Sequence, residues 1–146
     1  MLDENDASAS TKRLTNRYWH FLAGYLALSA FGFAALAFLV ERSTMLLTAV
    51  EVVAAFVLLV LASLAAVPAL YRDAAAVRAA GVDWTPGWPK YVGFSLASPV
   101  VVYLYVGYVA SAQVALLAAG VAFVLGTVES SAVYVYNRYR RVGASA

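Results

Sequence analysis

Two carboxylates, Glu51 and Glu129, stand inside stretches made otherwise of Ala, Val, Leu, Phe, Gly and a few small polar residues. An ionisable side chain in such surroundings is costly when charged, so it carries a proton or cation, meets water or pairs with a neighbour. Glu51 comes about six residues into its stretch, roughly 9 Å from that end. Arg42 is close enough in sequence to pair with it there. Glu129 precedes Arg138 by nine positions, roughly 13 Å of helix rise, and has Thr127, Ser130 and Ser131 around it. Two roles fit Glu129: a titrating group on a proton or cation path, or a protonated packing residue that sets helix register.

Other chemistries lack the residues they require. The chain of 146 residues has no cysteine and one histidine, His20, which is expected as a wet interfacial ring. That removes thiolate nucleophiles, and a histidine metal site within one chain is not expected. No glycine-rich phosphate loop and no Ser-His-Asp set is found. A net charge of +2 does not suggest a nucleic-acid partner. No cofactor, no metal and no enzymatic activity is expected.

The elements that position the carboxylates follow from composition. Hydrophobic residues form 64% and charged residues 12% of the chain, against about 45–50% and about 25% in soluble domains. The class expected is an all-α integral membrane protein with four transmembrane helices in two hairpins. The spans fall at about 19–40, 45–67, 90–110 and 114–137, within a transmembrane domain of 18–141. Each is long enough at about 1.5 Å per residue to cross a core of about 30 Å. Residues 1–17 form a polar tail, expected to be retained and disordered, and 142–146 a short one. Ser43 or Thr44 is placed to cap the second helix. Pro68 would kink that helix or open a new one, with Gly81 as its stop. Ser95 is placed to offset the carbonyl that Pro99 frees in the third span.

Lys12, Arg13 and Arg17 precede the first span, Arg72, Arg78 and Lys90 lie between the second and third, and Arg138, Arg140 and Arg141 end the fourth. Nine of the ten basic residues therefore share one side, and only Arg42 lies on the other. The positive-inside rule puts both termini in the cytoplasm. The loop 69–89 would then be cytoplasmic. Its Asp73, Arg78, Asp83, Trp84, Pro86 and Trp88 are expected as loop contacts or a docking surface, with Pro86-Gly87 central in a type II turn. On the fourth span Ala118, Ala122, Gly126 and Ser130 recur every fourth residue, a row that lets another helix approach closely, within the chain or between chains.

The second half resembles a multi-span membrane module of haloarchaeal proteins whose function is uncharacterised. The resemblance runs over Tyr71–Gly143 and rests on Asp73, Arg78, Trp84, Pro86, Tyr91, Pro99, Tyr136, Arg138, Arg140 and Gly143. It implies an archaeal plasma membrane and brings no activity, cofactor or catalytic residue. Glu129 and the short link at 111–113 stand outside its pattern.

The function expected is that of a small accessory or scaffold subunit that works by helix packing and through its cytoplasmic loop. Its partners would be the bilayer and either another membrane protein or further copies of itself. The alternative is an oligomeric proton- or cation-linked transporter or channel subunit that uses Glu129.

Overall fold

The computed structural model describes residues 4–42, 45–81 and 84–142, with side chains at 17–38, 41, 49–81 and 84–141. Four helices follow one another: α1 (Glu4–Arg42), α2 (Met45–Ala79), α3 (Trp88–Val109) and α4 (Ala112–Val142). No strand occurs among the described residues. Each helix contains a stretch long and apolar enough to cross a membrane: Arg17–Phe38, Ala49–Ala79, Trp88–Val109 and Ala112–Arg141.

Several boundaries differ from the sequence reading. The backbone of α1 is helical from Glu4, where a disordered tail is expected over 1–17. The segment has no Gly or Pro, and a helix that grows from an existing span avoids the cost of nucleation. Of the two readings at Pro68, the new helix does not form; α2 runs through the proline to Ala79. Gly81 then stops the chain in the left-handed region at φ +66°, where a side chain would be strained. The Pro86-Gly87 pair does not form a type II turn. Gly87 has φ −74° and ψ 75°, and Trp88 N–H donates to the Pro86 carbonyl at 2.9 Å. That is an inverse γ-turn. Ser95 does not serve its own freed carbonyl either; its hydroxyl donates to the Tyr91 carbonyl at 3.0 Å. Between α3 and α4 only Ala110 and Ser111 are non-helical, and Ser111 Oγ accepts the Val114 N–H at 3.4 Å as an N-cap. Ser43 and Thr44 lie outside the described residues.

Packing pairs the helices as two antiparallel hairpins, α1 with α2 and α3 with α4, which join mainly through α2 and α4. Small residues mark the crossings. A Cβ at Gly32 would come within 3.2 Å of Leu59, and one at Gly120 within 2.9 Å of the Phe56 ring. A Cβ at Gly126 would run into Ser98 Oγ. On α2 one stripe is buried: Leu59, Ser63, Ala66, Leu70, Asp73 and Val77. Its alternating spacing of four and three is that of a helix face turned to a core. Outward faces stay apolar, with Phe31, Leu58, Val101 and Leu104 widely exposed, as lipid contact requires and water does not favour.

Candidate functional site

At one end of the bundle a charged pair is buried. Asp73 on α2 is fully buried, and its Oδ2 lies 3.2 Å from Arg138 Nε on α4. Tyr134, one turn before Arg138 on the same face of α4, donates its hydroxyl to that same oxygen at 2.6 Å. Burying a charge is costly unless it is paired and hydrogen-bonded, and Asp73 receives both kinds of contact from one helix. Its other oxygen, Oδ1, has no hydrogen-bond partner among the described residues.

Aromatic rings pack against the cluster. The Arg138 guanidinium sits 4.7 Å from the centre of the Trp19 ring on α1, a cation–π contact that a desolvated setting strengthens. Tyr134 meets Tyr91 of α3 edge-on at 5.3 Å and Trp84 of the α2–α3 connection at 5.9 Å. Asn137 Nδ2 donates to the Tyr91 hydroxyl at 3.2 Å. Four helices and the connection thus meet in one cluster around Asp73, Tyr134 and Arg138. A second polar contact ties the first hairpin further along: the Tyr25 hydroxyl and Ser63 Oγ lie 2.8 Å apart.

This arrangement corrects the reading of the loop. Asp73 is not a solvated loop residue, because it lies on the buried stripe of α2 and is claimed by Arg138 and Tyr134. Arg78 is exposed, and Asp83 lies outside the described residues. Pro86 is fully buried, Trp84 packs on Tyr134, and Trp88 meets Tyr71 edge-on at 5.0 Å. The connection is folded onto the bundle. Sequence reasoning missed the pair because it counted Arg138 among topology-setting charges. One signal was present: Asp73 continues the series 59, 63, 66, 70 at core spacing.

The two intramembrane carboxylates are not in the cluster. Glu51 is exposed on α2, and the side chain of Arg42 lies outside the described residues. Glu129 faces outward on α4. It lines a recess of about 230 Å³ together with Lys90, Tyr91, Phe94, Ser130 and Val133. Of the small-residue row, Gly126 and Ser130 are buried and Ala118 and Ala122 half-buried. α3 crosses that row, with Ser98 against Gly126 and Ser98 Oγ donating to the Ala122 carbonyl at 3.4 Å. No three His, Cys, Asp or Glu side chains gather to hold a metal among the described residues.

Compared with known protein families, curated proteins and solved structures, the chain finds no match.

Proposed function

We propose that this is a non-enzymatic multi-pass protein of the plasma membrane with both termini in the cytoplasm. It serves as a small accessory or scaffold subunit that presents a rigid helical surface to another membrane protein or to further copies of itself. The observation that carries this reading is how the buried charges are used. Asp73 and Arg138 are paired with each other inside the bundle, an arrangement suited to holding helices in place. The exposed basic residues Arg72, Arg78 and Lys90 border the α2–α3 connection and form the polar part of the docking surface. The resemblance to the haloarchaeal module fits this role, since Asp73, Trp84, Tyr91 and Arg138 of its pattern all belong to the cluster.

The transporter reading has less support. A conducting carboxylate works from the bundle interior or a water-filled cavity, whereas Glu129 faces outward. Native mass spectrometry in mild detergent, with identification of co-purifying proteins, tests the proposal. A stable hetero-complex or a defined homo-oligomer supports it. A monomer that carries protons or cations across liposomes, and loses that flux in Glu129→Gln, overturns it.

A further inference from the structure

Glu129 lies near the middle of its span. The membrane-length stretch of α4 runs from Ala112 to Arg141, which puts Glu129 roughly 26 Å of helix rise from one end and roughly 18 Å from the other. Its side chain is exposed, and no hydrogen bond or ion pair reaches it from the described residues. Lys90 lines the same recess without pairing with it. An ionisable group in a span ordinarily faces the bundle interior or a water-filled cavity. Glu129 is instead on the outward side of α4, where lipid leaves its hydrogen-bonding groups unmet.

The face around it is continuous. Val121, Leu125, Glu129, Ala132 and Tyr136 are all exposed and recur at intervals of four, four, three and four, which puts them on one side of the helix. The other side carries Val124, Thr127, Ser131, Tyr134 and Arg138, all buried in the bundle. One side of α4 is thus used within the chain, and the middle of the other is apolar except for a single carboxyl group. The chemistry of that group narrows what covers it. A neutral carboxyl group has one O–H donor and keeps acceptor capacity, so it is its own complement across a two-fold axis. A second copy in the same orientation brings its carboxyl group to the same depth of the same membrane. A different protein would need a matching polar group placed at that depth independently.

We propose that the exposed face of α4 is a self-association surface, on which two copies meet across a two-fold axis with their neutral Glu129 carboxyl groups hydrogen-bonded to each other. Val121 and Leu125 of each copy pack on one side of that contact. Ala132, on the other side, is small enough to let the helices approach. The inference rests on the accessory or scaffold reading above and names a second copy of this chain as the partner at this surface.

The test uses the full chain, in membranes and in mild detergent. The chain has no cysteine, so single cysteines report one contact at a time. Oxidation of membranes with copper phenanthroline should link Leu125→Cys and Ala132→Cys into dimers. It should leave Phe31→Cys, exposed on α1, as single chains. By native mass spectrometry Glu129→Leu should weaken the dimer about tenfold, as two interhelical hydrogen bonds in a membrane would. Glu129→Gln should keep it, since a side-chain amide also donates and accepts. The single chain of Glu129→Leu should melt no lower than that of the parent protein, because the change only removes a polar group from an exposed apolar face. A dimer unchanged in Glu129→Leu overturns the proposal. So does linkage at Phe31→Cys but not at Leu125→Cys and Ala132→Cys, or linkage of the latter two to a different protein. The accessory reading survives each of those results. A monomeric parent chain also overturns the proposal, and the accessory reading falls with it only if that monomer shows a liposome flux that Glu129→Gln abolishes.

Discussion

Tyr134 hydrogen-bonds Asp73 across 61 positions of sequence at 2.6 Å. The bond joins the second hairpin to the first, and it ends on the oxygen that Arg138 also approaches. A hydrogen bond to a charged group contributes about 1.5–3 kcal/mol. Tyr134→Phe keeps the ring contacts with Tyr91 and Trp84 and removes only the hydroxyl. It should lower stability by about that amount in an SDS-titrated unfolding measurement. No loss would mean that the ring, not the hydroxyl, holds the cluster.

The ion pair gives a sharper test. Asp73→Ala leaves Arg138 buried beside Trp19 without its carboxylate, which should cost about 3–5 kcal/mol. Replacing both partners with apolar residues, Asp73→Leu with Arg138→Met, should recover most of that loss, because desolvation of two charges offsets much of the pair's attraction. A double variant as unstable as the sum of the single ones would show that the two sites act independently.

The four helices were legible from composition and from apolar runs of membrane length. Their pairing was less so. Asp73 and Arg138 each look like ordinary interfacial charges in one dimension, and only the fold brings them together. The small residues were legible as a row but not their partner, since Ala118, Ala122 and Gly126 give no indication that Ser98 will meet them. The γ-turn at Gly87 was hidden because Pro-Gly suits a type II turn equally well by residue type. At Pro68 the sequence left two readings open, a kink in a continuing helix or the start of a new one. Local preference suggests a break, and burial of Ala66, Leu70 and Asp73 along the same stripe favours continuation.

The α3–α4 crossing predicts a contrast between glycines. At Gly126 a methyl group runs into Ser98 Oγ, so Gly126→Ala should cost about 1–3 kcal/mol as overpacking. Adding Ser98→Ala removes the obstructing atom and should restore most of the stability, since Ser98 Cβ would be 3.5 Å away. At Gly24 nothing lies within 4 Å, so Gly24→Ala should be neutral or stabilise by about 0.5–1 kcal/mol through helix propensity. Equal costs at the two sites would rule out close packing at Gly126 as the cause.

Gly81 predicts a backbone effect with no contact behind it. Its φ of +66° is a conformation that costs a residue with a Cβ about 1–2 kcal/mol, and nothing lies within 4 Å of a Cβ built there. Gly81→Ala should therefore destabilise by about that amount, and Gly81→Asn by less, because Asn tolerates the left-handed region. If both substitutions unfold the protein alike, the strain account fails and the connection needs glycine for another reason.

The proposed orientation can be read directly, because the chain has no cysteine of its own. Gln113 is exposed in the first turn of α4 and Arg78 in the last turn of α2. Contacts such as Tyr91–Tyr134 and Gly107–Ala115 run α3 and α4 antiparallel, which sets these two sites at opposite ends of the bundle. The positive-inside rule assigns the Arg78 end, with its basic neighbours, to the cytoplasm. In intact cells a membrane-impermeant maleimide should label Gln113→Cys. It should reach Arg78→Cys only after lysis. The opposite pattern would invert the topology and move the basic docking surface outside the cell. Arg72, Arg78 and Lys90 would then be unable to meet a cytoplasmic partner.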